Sequence, residues 1–360
     1  MKTPAPRRRR QARLPQATQR IQRLDLRGRI ALGLCNGSPA INDALLEQEL
    51  YCTPLHTRVS PMRIAFTGVS GFIGSAAVRR LAAAGHDITA QIRSTSRTSH
   101  VVDSIDRTVI GGMDEAQRFD DLLEGAEVLV HNAVDWTPLK EDDLESHFAS
   151  NLASTLLLFD KAAKAGIRTV FISSVAVHHH MLDRWKGDVD DEHPMRPGTM
   201  YGALKASIET HLWALHASRG LSFVSLRPAA VYGIDPTLKR SIGFPILEDL
   251  KNGRPYDRSG GGKFVHVDDV ADAIERSLTK PADKPGIYHL ADCYARWSDW
   301  AAMACEVLGL ESPPEGESPT RPRNMFNDSK LEHELGLRLD RGMDGIRAHL
   351  KELDEAMSGE

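Results

Sequence analysis

Short β-branched runs and stretches with helical spacing of apolar residues alternate along the chain from Met62 onward. This alternation is typical of βαβ units, which assemble a parallel sheet. The runs predict strands at residues 63–67, 87–92, 127–133, 169–174 and 222–230, and the stretches between them predict helices at residues 72–84, 144–165 and 201–218. We therefore expect an α/β fold with a doubly wound parallel sheet.

The alternation of strand and helix patterns becomes irregular after Tyr232, where turn-forming residues such as Gly243, Pro245 and the three glycines at 260–262 become frequent. We expect residues 62–232 to form the sheet domain. Residues 233–360 are expected to form mainly a small C-terminal substrate lobe, with parts that return to the sheet.

The first 61 residues differ in charge from the rest, because they hold eleven Lys or Arg against four Asp or Glu in a chain of net charge −4. A basic arm of this kind is compatible with nucleic-acid contact, membrane contact or a transit peptide. We expect instead a disordered leader, or translated sequence ahead of the true start, because Met62 opens a strand directly.

The sequence lacks a long apolar run and a CxxC motif, and both features bear on the cellular compartment of the protein. No apolar run approaches the roughly 18 residues of a membrane-spanning helix. Cys35, Cys52, Cys293 and Cys305 show no CxxC spacing, which favours a reducing cytoplasm. We expect a small-molecule substrate and no nucleic-acid or membrane partner, and we leave a homodimer open.

A glycine-rich turn, TGVSGFIGS, follows the first predicted strand and contains Gly68, Gly71 and Gly74. The first glycine permits a tight turn, the second lets backbone approach a pyrophosphate, and the third lets helix and strand pack closely. The N-terminus of the following helix adds partial positive charge. In this position between strand and helix, the motif predicts a Rossmann-like dinucleotide site.

The end of the second predicted strand bears on the choice of dinucleotide. A Rossmann protein places there an acid for the ribose 2′-hydroxyl or an Arg for a 2′-phosphate. This chain has Arg93, with Arg97 nearby and no acid at the strand end. We therefore expect NADP or NAD as cofactor, with NADP favoured; an Arg93 that faces solvent is the alternative.

Tyr201 and Lys205 stand four residues apart in the sequence YGALK, on one face of a predicted helix. A cation about 4 Å from a phenol favours its ionised form by on the order of 4 kcal/mol at an effective dielectric near 20, less the cost of desolvation. We therefore expect the pKa of Tyr201 to be lowered. Ser173 and Ser174, in FISSVAV, would reach the carboxyl edge of the sheet, where such folds bind ligands.

In their order, these motifs resemble the extended short-chain dehydrogenase/reductase superfamily, the NAD-dependent epimerase/dehydratase family. The resemblance covers residues 62 to about 350 and leaves the first 61 unmatched. The further matching segments are HNA at 131–133, Asn151, LRPAAVYG at 226–233, FVHVDDVADAI at 264–274 and DSKLEHELG at 328–336.

The resemblance implies roles for individual residues. Tyr201 would be the general acid/base, and Lys205 its activator and a ribose ligand. Ser174 would be the catalytic hydroxyl, with Ser173 as second choice, and Asn151 resembles the asparagine that stabilises the active-site helix. The residues implied to line the cofactor are Gly68, Gly71, Phe72, Ile73, Gly74, Arg93, Ala133, Tyr201, Lys205 and Pro228.

The chain departs from the family pattern at two places. Gly111, Gly112 and Met113 stand where the family often has an Asp and an apolar residue that meet the adenine, which puts that contact in doubt. Three histidines at 178–180 replace the usual residues of the turn after Val177. Consecutive side chains cannot all face one ion without strain, so we expect no metal.

The resemblance implies hydride transfer at a hydroxyl or carbonyl carbon, by a reductase, a dehydrogenase or a sugar epimerase. Val175 and Ala176 stand where dehydratases of the family have Asp and Glu, so we set dehydration aside. A nucleotide-sugar substrate stays open, because several cations could hold a diphosphate. These are Arg227, Lys239, Arg240, Arg254 and Arg258. The alternative from another class is a non-catalytic NADP-binding sensor or regulatory protein, which would not need Tyr201 and Lys205.

Overall fold

The computed structural model describes residues 60–281, 284–311 and 317–359, so the predicted leader lies outside the described residues except for its last two. The strands of the described part are β1 (Arg63–Thr67), β2 (Asp87–Ile92), β3 (Arg107–Ile110), β4 (Val128–His131), β5 (Arg168–Ile172), β6 (Asp188–Val189), β7 (Phe223–Pro228), β8 (Ala230–Tyr232), β9 (Gly261–His266), β10 (Gly286–Leu290), β11 (Cys293–Arg296) and β12 (Met325–Phe326).

The α-helices of the same residues are α1 (Phe72–Ala83), α2 (Phe119–Leu123), α3 (Thr137–Lys140), α4 (Leu144–His147), α5 (Ser154–Lys164), α6 (Met200–Arg219), α7 (Phe244–Lys251), α8 (Val267–Ser277), α9 (Trp297–Leu308), α10 (Ser329–Leu335) and α11 (Gly342–Ser358). A π-helix, Phe148–Ala153, joins α4 to α5. Among the described residues, no helix combines the length and the apolar composition that crossing a bilayer requires.

Seven strands form a parallel sheet in the order β10-β7-β5-β4-β1-β2-β3. The chain runs outward from β1 to β3 and then returns to β4 on the other side of β1. This reversal opens a crevice beyond the carboxyl ends of β1 and β4, where open α/β sheets bind ligands. The predicted Rossmann-like, doubly wound sheet is confirmed.

Side chains of the central strands alternate between two buried layers, as the period of two in a strand requires. On β1, Ile64 and Phe66 pack into the layer that contains residues of α1 and α8. Ala65 packs into the opposite layer, with residues of α2, α5 and α6. Burial on both faces is the usual condition of a parallel sheet and explains why its strands read as continuous apolar runs.

A smaller group of elements has its own core. Strands β8 and β9 pair in parallel, β11 pairs with β9 in antiparallel fashion, and helices α7, α9 and α11 pack beside them around Trp300 and Tyr232. Strands β6 and β12 form a separate parallel pair. In contrast, β10 and α8 belong to the seven-stranded sheet and its buried layer, although they lie late in the chain.

Candidate active site

The glycine-rich turn has the geometry of a phosphate cradle. Gly68 has a φ of +81°, and a Cβ there would lie 2.7 Å from the backbone nitrogen of Ala133. A Cβ on Gly74 would overlap the carbonyl oxygen of Gly68, so α1 packs against the turn only because this residue is glycine. Gly71 is exposed at the N-terminus of α1, and its Cβ would be 3.5 Å from the nearest atom. The bare backbone at Gly71 therefore fits a dinucleotide pyrophosphate.

Substitutions at Gly74 and at Gly71 are expected to affect stability and nucleotide binding in opposite ways. We expect Gly74→Ala to destabilise the protein by about 1–3 kcal/mol, because backbone must move to admit the methyl group. Gly71→Ala is expected to leave the melting temperature near that of the parent and to weaken binding of a nicotinamide dinucleotide. Thermal melting and titration with NAD and NADP test this in both variants. Unchanged affinity for both nucleotides in Gly71→Ala would show that the pyrophosphate does not approach this residue.

The other residues implied to line a cofactor lie at the carboxyl edge of the same sheet. Arg93 follows β2 and is exposed, Ala133 lies just past β4, and Pro228 ends β7. Within the described part of the chain, the Arg93 guanidinium has no hydrogen bond or ion pair. Gly112, which stands where the family has a residue that meets the adenine, follows β3, and its carbonyl accepts a hydrogen bond from Gln91 Nε2 at 2.8 Å.

Tyr201, Ser174 and Lys205 are brought together at this edge. Ser174 faces the Tyr201 phenol closely enough to lower the pKa of its hydroxyl. Ser174 begins a short 3₁₀ turn, where its Oγ accepts from the Ala176 backbone nitrogen at 3.1 Å. The Lys205 Nζ lies 5.7 Å from the centroid of the Tyr201 ring and donates to the Ile172 carbonyl at 2.6 Å.

Burial controls the protonation of this group. It raises the pKa of Tyr201 to about 12, against the opposing effect of the neighbouring Ser174. It also lowers the pKa of Lys205 to about 7, although the Glu209 carboxylate acts in the other direction. The expected lowering of the Tyr201 pKa is therefore wrong for this structure, because desolvation of the phenol outweighs the effect of Ser174.

Ser173, the second choice for the hydroxyl, points elsewhere. It is 1% exposed, and its Oγ has no hydrogen-bond partner among the described residues. A serine next to a strand end alternates in direction with its neighbour, so only one of the pair can face Tyr201. The structure places Ser174 there.

Asn151 lies in the π-helix and holds the loop after β4. Its Oδ1 accepts from the Asp135 backbone nitrogen at 2.7 Å, and its Nδ2 donates to the Asp135 carbonyl at 2.9 Å. The next residue, Trp136, stacks on the Tyr201 ring with centroids 4.9 Å apart. Trp136 was not identified from the sequence; its only signal was an aromatic residue just past the strand-end HNA.

Behind Lys205 lies a buried network that was also not predicted from the sequence. Glu209 is one helical turn after Lys205 and accepts from Arg227 Nε at 3.0 Å and from Ser225 Oγ at 2.9 Å. Arg227 Nη1 donates to His178 Nε2 at 2.9 Å and lies 3.3 Å from His289 Nε2. The i+4 spacing of Glu209 from Lys205 was a signal, since such residues share a helix face.

This network corrects the assignment of Arg227 as a diphosphate ligand. Arg227 is 1% exposed and bound by Glu209 inside the sheet, so its charge is not available to a substrate. Two other candidates are also engaged: Arg254 pairs with Asp249 at 2.7 Å, and the Arg258 guanidinium lies 4.2 Å from the centroid of the Trp297 ring.

The buried histidines predict loss of stability in mild acid. Burial lowers the pKa of His131 and of His178 to about 3 in the folded chain. The positive charge of Lys205 lowers the pKa of His131 further, and that of Arg227 lowers the pKa of His178 further. Burial and Arg227 also hold the pKa of His289 well below 6.5. The unfolded chain, with histidine pKa values near 6.5, takes up these protons first.

The free energy of unfolding should therefore fall as the pH drops below about 6.5, and continue to fall towards the folded values near 3. Each such histidine lowers the free energy of unfolding by about 1.4 kcal/mol for every pH unit in that range. Urea unfolding at pH 7.0, 6.0 and 5.5 measures the effect. A stability that stays constant over this interval would contradict the buried, neutral state of these rings.

The three consecutive histidines do not converge. His178 is buried in the network, whereas His179 and His180 are exposed. Within the described residues, no group of three or more His, Cys, Asp or Glu side chains could hold a metal ion.

A sequence model of the NAD-dependent epimerase/dehydratase family matches residues 64–291. Sterol demethylase protein B of Methylococcus capsulatus is 30% identical over 59% of this chain and 65% of that protein. Dihydroflavonol 4-reductase of Arabidopsis thaliana is 29% identical over 58% of this chain and 60% of that protein. The chain thus spans less than two thirds of the length of these relatives.

The fold is shared with the UDP-glucose 4-epimerase of Thermus thermophilus, solved in complex with NAD. The two chains superpose with a TM-score of 0.65 at 23% identity, over 82% of this chain and all of the other. The family model spans the sheet from β1 through β10, together with the glycine turn, Ser174, Tyr201 and Lys205. The chain therefore belongs to the NAD-dependent epimerase/dehydratase family, within the extended short-chain dehydrogenases/reductases.

Proposed function

We propose that this protein is an NADP-dependent reductase that delivers hydride to the carbonyl carbon of a small ketone or aldehyde. The observation that carries the proposal is the convergence of Tyr201, Ser174 and Lys205: the phenol faces Ser174, and the buried Lys205 Nζ lies 5.7 Å from the centroid of the Tyr201 ring. The group lies at the same sheet edge as the glycine turn. A proton donor and a second hydroxyl at this place can bind and protonate one substrate oxygen.

The cofactor would be held by the turn and by the strand ends around it. Gly71 and the N-terminus of α1 would bind the pyrophosphate, and Arg93 would pair with a 2′-phosphate. Phe72, Ile73, Ala133 and Pro228 would line the remaining surface. When bound, the nicotinamide supplies the hydride.

The residues of the chain then handle the proton. With a pKa raised to about 12, Tyr201 carries its proton at neutral pH and can donate it from the hydroxyl to a carbonyl oxygen that gains negative charge. Ser174 would donate a hydrogen bond to the same oxygen and hold it in place. Lys205, with a pKa of about 7, would support the phenolate that remains. Because a protonated phenol can give a proton but cannot accept one, this protonation state favours reduction of a carbonyl over oxidation of an alcohol.

The choice of a reductase over a nucleotide-sugar epimerase rests on the cations. Arg227 is engaged by Glu209 inside the fold, so a strong candidate for holding a diphosphate is lost. Among the relatives, the Arabidopsis thaliana dihydroflavonol 4-reductase is named as a reductase. Both points support reduction of a carbonyl compound without a nucleotide.

The test is to purify the full chain, identify any nucleotide that it releases on denaturation, and follow NADPH oxidation with a panel of aldehydes and ketones. We expect protein largely free of nucleotide that oxidises NADPH only when a carbonyl compound is present. Retained NAD at near-stoichiometric amounts without NADPH oxidation would identify an epimerase instead. Tight NADP binding with no turnover on any carbonyl would favour the regulatory protein.

Arg93 gives a direct test of the cofactor. We expect Arg93→Asp to shift the preference from NADP towards NAD, because a carboxylate repels a 2′-phosphate and accepts a hydrogen bond from a ribose hydroxyl. The measurement is the ratio of the two dissociation constants in each protein. Arg97→Asp, four residues on and also exposed, is the matched control. An unchanged ratio in Arg93→Asp would mean that Arg93 faces solvent in the complex.

A further inference from the structure

Trp136 has an unusual environment for a large apolar side chain. One face of its indole stacks on the Tyr201 ring, with centroids 4.9 Å apart and planes 29° from parallel. The residue nevertheless remains 48% exposed. An aromatic surface is thus presented to solvent directly beside the proposed proton donor.

The position of Trp136 is built by the surrounding backbone. Asp135 is held by both ends of the Asn151 amide, and Asn151 itself is 4% exposed. The Asn151 Nδ2 also donates to His147 Nδ1 at 3.1 Å. On the other side of Trp136, the Thr137 backbone nitrogen donates to Asp135 Oδ1 at 3.1 Å. Such anchoring on both sides distinguishes Trp136 from a loose surface residue, because few conformers of the segment satisfy all of these bonds.

Apolar residues follow Ser174 and the carboxyl end of β7. Val175 comes directly after Ser174, and Ala229 comes directly after Pro228. Both are partly buried and, with Met181, pack against a small core that contains Phe326 and Val189. The vicinity of Ser174 therefore favours an apolar substrate body next to the reacting oxygen.

We propose that Trp136 is a specificity-determining residue that selects carbonyl compounds whose reacting carbon is attached to a flat aromatic ring. The ring would pack against the indole while the carbonyl oxygen meets Tyr201 and Ser174. The inference rests on the proposed reductase function. Aromatic pairs are stabilised beyond their buried area, by an amount that corresponds to about a threefold to tenfold preference over a saturated ring of similar size.

The experiment compares acetophenone with cyclohexyl methyl ketone, which differ in the flatness of the ring. For each, kcat and KM are measured with NADPH, and binding to the NADP-loaded protein is measured by calorimetry. The variants are Trp136→Leu, which removes the aromatic face, and Trp136→Phe, which keeps one. Trp213→Leu is the matched control, because Trp213 is 45% exposed on the same helix as Tyr201 but roughly 18 Å further along it.

We expect the parent to prefer acetophenone, and Trp136→Leu to lose about threefold to tenfold of that preference, mostly in KM. Trp136→Phe should retain most of it, and Trp213→Leu all of it. An equal loss for both ketones in Trp136→Leu would show that Trp136 only supports Tyr201, and would overturn the proposal. A parent protein that does not prefer acetophenone over cyclohexyl methyl ketone would overturn it as well. If neither ketone is reduced, the panel of aldehydes and ketones decides the proposed function, and the calorimetric preference alone decides the role of Trp136.

Discussion

Tyr201→Phe is expected to lower kcat by about a hundredfold to ten-thousandfold while leaving NADP affinity nearly unchanged. The phenyl ring can still stack on Trp136, 4.9 Å away in the parent, so the site should keep its shape. Without the hydroxyl, no proton reaches the substrate oxygen, and general acid catalysis contributes factors of this size. Because the loss occurs in the chemical step, it should appear in kcat rather than in KM.

Single-turnover rates and nucleotide titration measure the two effects separately. The two neighbouring serines provide a matched pair: Ser174→Ala should slow turnover less than Tyr201→Phe does, whereas Ser173→Ala should matter little because the Ser173 Oγ is buried without a hydrogen-bond partner among the described residues. Lys205→Met should weaken both turnover and binding. Turnover at the parent rate in Tyr201→Phe would remove the basis for an enzyme at this site and favour the regulatory protein.

Arg227→Met is expected to reduce the free energy of unfolding by about 3–5 kcal/mol, because it leaves the Glu209 carboxylate buried without its partner. Glu209 is fully buried, and water cannot replace the lost guanidinium. Folded domains are stable by only about 5–15 kcal/mol, so this single change is expected to bring the protein close to unfolding.

The double variant Arg227→Met with Glu209→Leu should recover most of this loss, since both charges are then removed together. Urea unfolding of the parent, the two single variants and the double variant measures the coupling between them. If the double variant is no more stable than Arg227→Met, the pair does not act as a buried ion pair. A single variant that gives no folded protein, beside a folded double variant, would support the same coupling.

The elements that were predicted well are those whose local pattern decides the structure. Strands β1 and β2 have the predicted bounds, and α6 begins one residue before and ends one residue after the prediction. The predicted strands at 127–133, 169–174 and 222–230 extend further than β4, β5 and β7 do. The chain leaves the sheet at Asn132, Ser173 and Ala229, one residue past each strand end, and no change in the spacing of apolar residues indicates where this happens.

Elements that depend on distant partners could not be predicted. Strands β3 and β10 are short edge strands that gain their order from one neighbour each. The predicted helix at 144–165 contains the π-helix, whose Asn151 amide bonds to a residue 16 positions away. Arg227 meets His178 at a separation of 49 residues and His289 at 62. Nothing in the spacing of residues indicates such pairs, which is why Arg227 was counted among the candidate ligands of a diphosphate.

The late position of β10 has a consequence during synthesis. Strand β10 pairs with the outer edge of β7 and carries His289, which lies beside Arg227 but is synthesised 62 residues later. At roughly 5–20 residues per second, the nascent chain must wait about 3–12 seconds before that edge is covered. An open strand edge is a template for pairing with another chain. During the interval between synthesis of β7 and of β10, the nascent protein thus exposes a strand edge that the folded protein covers.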